Sequence, residues 1–298
     1  MNRFILKAFS ISILFACLTG CIYDNKETST PPSKAIKHDV IIIKGSTTVH
    51  PLLDKIAETF SLHKENPILE ISSSGSMNGI KSLLQDSADI AMASHKISPD
   101  IKAAFRKKKK HYVEYLIAGD ALVFAVNVNN PVKKLTLKQL TDIFTGKITN
   151  WKQVGGENLP IYIISRDYKS GTYSFFMEDV MIKDTLSKLT HIVANNESVL
   201  KTISKEKGAI GYTNFSMLDY SVDPVSIAFD NTKAHYIAPR LETVNNMTYK
   251  YFRGLYLYYT PEKYSKIKPL MDIIHADTTK HFIEKAGYIP VNQKLIVD

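Results

Sequence analysis

Cysteine is nearly missing from this chain of 298 residues: it occurs only as Cys17 and Cys21. Everything beyond residue 21 lacks a thiol, which excludes disulfide staples and thiolate metal sites from a domain built there. The nine histidines show no close ligand pairing of the kind zinc sites use. His63, His111 and His191 read as surface residues. The motifs of common enzyme classes are missing too. Gly45-Ser46-Thr47-Thr48 has no Gly-Lys-Ser/Thr after it and is no nucleotide-binding P-loop. No serine sits in a G-x-S-x-G elbow, so a hydrolase of that type is excluded. Acidic residues are in short supply, 29 against 38 basic ones, for a formal charge of +9. Such an excess suits an anionic partner, whether nucleic acid, a membrane surface or a small anion.

The first residues carry an export signal. Arg3 and Lys7 give a basic start, and Ala8 to Leu18 form an apolar run of signal-peptide length, too short to span a membrane. Leu18-Thr19-Gly20-Cys21 then resembles the lipobox of bacterial lipoproteins. That resemblance implies that residues 1–20 are removed and that Cys21 is lipidated as the new first residue; an ordinary leader with a chance Cys is the alternative. With Arg3 and Lys7 gone, the mature chain keeps a charge of +7. Residues 21–38 are polar, contain Pro31-Pro32 and read as a flexible tether. The expected location is therefore extracytoplasmic, on the membrane through a lipid.

Hydrophobic residues at 44% and charged residues at 22% describe a folding chain, and the length suits two lobes. Val40-Ile41-Ile42-Ile43 reads as a buried strand, Leu52–Leu62 as a helix, Leu69–Ile71 as a strand, Met77–Gln85 as a helix and Ala88–Met92 as a strand. Strands follow at Ala121–Val128, Pro160–Ser165, Ala209–Tyr212 and Gly254–Tyr259. Helices follow at Leu137–Phe144, Thr172–Met181, Ser198–Lys205, Lys263–Ile274 and Thr278–Ala286. This alternation predicts an α/β fold with a parallel sheet. The basic run Arg106–Lys110 reads as a solvated helix end. Tyr249, Tyr251, Tyr256, Tyr258 and Tyr259 could form an aromatic platform, but strand alternation already accounts for most of them.

Three segments place small hydroxyl residues between a strand and a helix: Gly45-Ser46-Thr47-Thr48, Ser72-Ser73-Ser74-Gly75-Ser76 and Arg166 to Thr172. A helix N-terminus offers free N–H groups and partial positive charge to an anion, and ligands of doubly wound sheets sit beyond the carboxyl ends of strands. Ser or Thr before a helix is more often a plain N-cap. Three such loops, one with the planar donor fork of Arg166, argue for an oxyanion site.

These loops are where the chain resembles the PstS family, the phosphate-binding proteins of bacterial phosphate ABC transporters. The resemblance runs from about Val40 to about Val291. It is carried by Ile43 to Pro51 (IKGSTTVHP), Gly75 to Lys81 (GSMNGIK), Asp89 to Ser94 (DIAMAS), Asp142 to Trp151 (DIFTGKITNW), Arg166-x-x-x-Ser170-Gly171-Thr172 and Gly208 to Tyr212 (GAIGY). It implies a two-lobed periplasmic-binding-protein fold of type II with crossovers near Gly119 and Lys250. The lobes would be 39–118 plus 251–298, and 119–250. The implied ligand is inorganic phosphate. Thr47 would bind it by its hydroxyl, Thr48 by its backbone N–H, and Ser76 by both. Arg166 would pair with the anion, and Ser170, Gly171 and Thr172 would present a helix N-terminus. Ser94 and His95 stand where the family places an Asp or Arg, so this chain departs from the pattern there. Lys169 stands where Gly is expected, either adding charge to the site or pointing to solvent. The family implies membrane components of an ABC importer as partners, no enzymatic activity, no cofactor or metal, no nucleic acid, and a monomer. A receptor for sulfate or molybdate, or a phosphate-sensing or adhesion lipoprotein, are the alternatives.

Overall fold

The computed structural model describes residues 39–291 and 294–297; the leader, Cys21 and the tether lie outside the described residues. The strands are β1 (Val40–Gly45), β2 (Ile68–Ser73), β3 (Ile90–Ala93), β4 (Val113–Asn127), β5 (Lys134–Thr136), β6 (Tyr162–Arg166), β7 (His191–Val193), β8 (Ala209–Asn214), β9 (Val222–Pro224), β10 (Ser226–Ala228), β11 (Phe252–Tyr259) and β12 (Lys294–Val297). The helices are α1 (His50–Phe60), α2 (Ser76–Leu84), α3 (Pro99–Lys107), α4 (Leu137–Phe144), α5 (Gly171–Phe175), α6 (Asn196–Lys205), α7 (Leu241–Asn245), α8 (Tyr264–His275) and α9 (Asp277–Lys285).

The main sheet runs β2-β1-β3-β11-β4-β8-β6-β7. Its two flanks are parallel, as the alternation of strands and helices predicts: β1 with β2 and β3, and β6 with β7 and β8. Its middle departs from that expectation. β11 is antiparallel to both β3 and β4, and β4 is antiparallel to β8. The physical reason is chain direction. β4 runs for 15 residues, pairing first with β11 and then with β8 and β9. The chain leaves one flank along β4 and returns along β11, and neighbouring outward and return strands are antiparallel. The sequence suggests a strand over Ala121–Val128; the strand begins earlier, at Val113, and ends at Asn127. Gly119 serves a close approach, since a Cβ there would lie 2.4 Å from the Phe252 ring.

Hydrophobic side chains gather on both sides of each flank. Ile41, Ile43, Leu53, Ile56, Leu255 and Leu257 share one cluster, and Ile80, Leu83, Phe105, Tyr256 and Tyr258 another. β11 thus alternates between two buried faces, so its tyrosines are core residues and form no platform. In the other flank Phe124, Phe144, Trp151, Phe176, Tyr212 and Tyr251 form one cluster, and Ile164, Val199, Leu200 and Ile203 form another.

The segment Asp142–Trp151 has a structural explanation. Thr136 and Gln139 close a reciprocal capping box at the start of α4. Gly146 takes a φ of +80° just beyond its end, and Trp151, the only tryptophan of the chain, is buried with Nε1–H donated to the Gly208 carbonyl at 2.9 Å. The helix expected over Thr172–Met181 is divided, with α5 followed by a π-helical turn at Phe176–Met181. That wider turn accompanies the packing of Phe176 on Tyr212 and Phe144. The basic run is a solvated helix end: α3 stops at Lys107, and Arg106 to Lys109 are exposed. No described helix is long and apolar enough to cross a membrane.

Candidate anion-binding cleft

The Gly45–Val49 turn joins β1 to α1. Gly45 has φ +142°, and a Cβ there would meet the Met92 carbonyl oxygen at 2.2 Å. That carbonyl accepts Ser46 N–H at 3.0 Å, while the Gly45 carbonyl accepts Ser74 N–H and Gly75 N–H at 2.9 and 2.8 Å. One turn therefore ties the exits of β1, β2 and β3 together. Ser46 Oγ accepts Thr48 N–H at 3.1 Å, so the backbone donor of Thr48 already has a partner. Its hydroxyl points elsewhere, as described below. Thr47 is half-buried in the same turn. Tyr288 O–H donates to the Thr48 carbonyl at 2.6 Å and holds the turn from behind.

Gly75 precedes α2 with φ +87°, and the buried Ser76 opens the helix. Ser76 Oγ accepts Ser94 N–H at 3.2 Å and lies 3.4 Å from Ser94 Oγ. His95 follows. Its Nδ1–H donates to the Lys96 carbonyl at 2.7 Å, since a carbonyl can only accept. In the neutral ring Nε2 then carries the lone pair, and Nε2 is buried without a hydrogen-bond partner. Burial holds the His95 pKa below its ordinary 6.5, with the charge of Arg253 adding to the shift against the bond to Lys96. The resident form at neutral pH is an acceptor.

Across from these turns, β6 ends in the buried Arg166. Its Nη1 donates to Asn196 Oδ1 and its Nη2 to the Ala194 carbonyl at 2.9 Å, while Nε is buried without a partner. Burial pulls its pKa down to about 10, which still leaves it charged at neutral pH. Tyr212 O–H, 2.6 Å from Ser165 Oγ, accepts the Arg166 backbone N–H at 3.2 Å. Ser170 caps α5, its Oγ accepting Thr172 N–H at 3.2 Å and Tyr173 N–H at 3.4 Å. The side chain of Lys169 is exposed, with Nζ 5.7 Å from the Tyr168 ring centre, so it points to solvent.

The two sets of turns touch. Thr48 Oγ1 lies 3.4 Å from Thr172 Oγ1 and accepts Asn196 Nδ2–H at 3.3 Å. A Cβ at Gly171 would lie 2.3 Å from both Ser76 Oγ and Ser94 Oγ, and 2.8 Å from His95 Cδ2. A Cβ at Gly75 would lie 2.6 Å from the Lys169 carbonyl oxygen. The structure thus gathers Thr48, Ser76, Ser94, His95, Arg166, Ser170, Gly171 and Thr172 in one polar spot. It adds Asn196, which sequence reasoning missed. The pair Asn195-Asn196 was a readable signal, because Asn195 Oδ1 caps α6 by accepting Ser198 N–H at 2.7 Å. Hydroxyls, a guanidinium and backbone donors suit an oxyanion. Among the described residues no group of His, Cys, Asp and Glu could hold a metal ion.

Turns at the carboxyl ends of strands from both flanks of one sheet, meeting over a shared polar spot, define a two-lobed α/β binding protein. The model of the PBP superfamily domain matches residues 26–284. The chain belongs to that superfamily and, within it, to the PstS family. The phosphate-binding protein PstS of Staphylococcus epidermidis is 28% identical over 84% of this chain and 78% of its own length. The protein SphX of Synechococcus elongatus is 27% identical over 97% of this chain and 87% of its own. Among solved structures, a phosphate ABC transporter substrate-binding protein of Clostridium perfringens with bound phosphate superposes with a TM-score of 0.76 at 32% identity, over 85% of this chain and all of that one. An ABC-type phosphate transport receptor of Vibrio cholerae gives 0.68 at 27% identity, over 84% of this chain and all of that one.

Proposed function

We propose that this chain binds inorganic phosphate outside the cytoplasm and delivers it to an ABC importer. The observation that carries this reading is the meeting of the Thr48, Ser76 and Thr172 side chains with the buried, charged Arg166, whose Nε has no partner. Fixed dipoles and one guanidinium can replace the water shell of a small anion. Relatives named for phosphate binding, and a structural neighbour solved with phosphate, support the choice of anion. In this reading Thr47, Thr48, Ser76, Ser94, His95, Arg166, Ser170, Gly171 and Thr172 contact the ligand, and Asn196 orients Arg166.

The lobes are 39–118 plus 251–298, and 119–250, joined by β4 and β11. The separate hydrophobic clusters of the two flanks support that division. The lobes hinge open to admit the anion and close on it. Cys21 carries the lipid, the chain acts as a monomer, and it performs no chemistry on its ligand. Calorimetric titration of the secreted chain with phosphate, sulfate and molybdate tests the reading. Heat and thermal stabilisation with phosphate are expected; a response to sulfate or molybdate without one to phosphate would overturn it.

A further inference from the structure

β4 and β11 place Asp120 directly opposite Arg253 in register, and both side chains are buried. Arg253 Nη2 donates to Asn214 Oδ1 and lies 3.7 Å from Asp120 Oδ2. Asp120 Oδ1 is engaged separately, accepting Ala121 N–H at 2.8 Å and Ser216 N–H at 3.2 Å. Two residues, Asn214 of β8 and Asp120 of β4, thus face the guanidinium at one nitrogen, the first by a hydrogen bond and the second as an ion pair whose Oδ2 makes no hydrogen bond. The other two guanidinium nitrogens, Nε and Nη1, are buried without partners. Idle donors on a buried cation are costly, and a fold that needed only a cross-strand ion pair could leave none. Burial disfavours charge on both members, pushing the Asp120 carboxyl up and the Arg253 guanidinium down, while each opposes the shift of the other.

The position of the guanidinium gives these donors a use. Its Cζ lies 5.8 Å from the centre of the Phe175 ring, one turn beyond Gly171 in α5. Its charge acts on residues of both turn sets: it disfavours the protonated forms of His95 and of Arg166, in each case adding to the larger effect of burial. Arg253 therefore sits on the strand pair β4–β11 that joins the flanks, beside α5, whose first residues are Gly171 and Thr172. The only other cationic side chain found buried there, Arg166, has a single idle donor among the described residues.

We propose that Arg253 is a second cationic residue of the anion site, turning Nε and Nη1 toward the ligand from the floor of the cleft while Asn214 and Asp120 hold it by Nη2. Arg253 and Arg166 then approach a dianion from two directions. Asp120 supplies the compensating charge that lets a second buried cation persist when the cleft is empty. The inference rests on the reading of the cleft as an oxyanion site and extends it to the strands that join the lobes.

The test is calorimetric titration and phosphate-induced thermal shift of the secreted chain with three variants. Arg253→Gln removes the charge but leaves Asp120 unpaired, and so risks misfolding. The double variant Asp120→Asn/Arg253→Gln removes both charges with little change of shape and guards against that. Arg253→Lys keeps the charge but not the fork. The double variant is expected to unfold cooperatively near the wild-type temperature without ligand, yet to bind phosphate at least about 30-fold more weakly and to lose most of its thermal shift. Arg253→Lys should fall between the two, since one ammonium cannot offer two donors in a fixed fork. A double variant that folds and binds within twofold of wild type would overturn the inference and make the pair a structural strut. The variants are read against whichever of phosphate, sulfate or molybdate the wild type binds. A wild type that prefers sulfate or molybdate overturns the phosphate reading alone, and one that binds none of the three overturns both.

Discussion

Thr48 Oγ1 and Thr172 Oγ1 stand 3.4 Å apart although 124 residues separate them in the chain. Each hydroxyl belongs to a turn built by its own strand and helix. Thr48 follows β1 and Thr172 lies in α5, on opposite flanks of the sheet, so their contact joins a turn of one flank to a turn of the other. Asn196 reinforces the junction by donating to Thr48 Oγ1 while accepting from Arg166.

Arg166→Ala should weaken phosphate binding by about 2–5 kcal/mol, roughly 30- to several-thousand-fold, because a charge-assisted donor in a dry site is lost. Calorimetric titration measures this directly. An affinity within twofold of wild type would remove Arg166 from the ligand.

Asn196→Ala should also weaken binding, by about 1–3 kcal/mol, because it frees Nη1 of a buried guanidinium and leaves Thr48 Oγ1 without its donor. The effect should grow with the buried environment it disturbs, so the variant should also unfold at a lower temperature. Equal affinity and stability in Asn196→Ala and wild type would mean that Arg166 needs no orienting partner.

Gly171→Ala tests closure. The added methyl would sit 2.3 Å from Ser76 Oγ and Ser94 Oγ, which belong to the opposite turns, so the clash exists only when the turns meet. The variant should fold normally and lose phosphate affinity, and X-ray scattering should show it failing to compact with ligand as the wild type does. Normal compaction would show that the flanks close on phosphate without the contact seen here.

His95 gives a pH dependence with a definite sign. Its folded pKa lies below 6.5, so the neutral ring, with Nε2 as acceptor, prevails above pH 6.5 and gives way to imidazolium as pH falls. A neutral acceptor can receive the proton that phosphate carries and sulfate lacks, whereas imidazolium donates to either anion. Discrimination against sulfate should therefore hold from pH 8 to 6.5 and decline as pH falls below that. The same shift makes the unfolded chain the better proton acceptor, so the stability linked to His95 is present above pH 6.5 and is lost as pH falls through the folded pKa. Competition titrations on wild type and His95→Gln read the selectivity, and thermal unfolding over the same pH range reads the stability; superimposable selectivity curves would exclude His95 from reading the proton.

Trp151→Phe separates scaffold from site. Losing the bond from Nε1 to Gly208 and part of a packed ring should cost about 1–3 kcal/mol of stability, with phosphate affinity unchanged in the folded protein. Denaturant unfolding followed by circular dichroism, paired with calorimetry, checks both halves; a large loss of affinity at full stability would place this segment in the site.

Much of the cleft is written locally. A strand that ends in glycine and hydroxyl residues and then turns into a helix is a pattern of neighbours, so the turns at Gly45, Gly75 and Arg166 to Thr172 are legible before any contact is known. So is the stretch Asp142–Trp151, which stands out because the end of a capped helix, a left-handed glycine and an anchored tryptophan follow one another. Its distinctness comes from folding requirements, since Trp151 is a core residue away from the polar spot. Other features are fixed by partners far along the chain. Asp120 and Arg253 look like ordinary polar residues in strands until β4 and β11 are paired. The antiparallel middle of the sheet follows from the path of the chain between flanks, which no window of residues contains.

The sequence by itself thus determined the alternation of strands and helices, the hydroxyl-rich turns between them and the absence of thiols beyond residue 21, because each depends on residues adjacent in the chain. Tertiary structure decided which of those hydroxyls act together. Ser170 spends its oxygen on capping α5, and Thr48 gives its N–H to Ser46 while its own hydroxyl reaches Thr172. It also placed Asn196 behind Arg166 and left the Arg253 donors idle on the strand pair β4–β11. The reason is physical: a hydrogen-bonding group has few bonds to make, and which ones it makes depends on the groups that folding brings within about 3 Å of it.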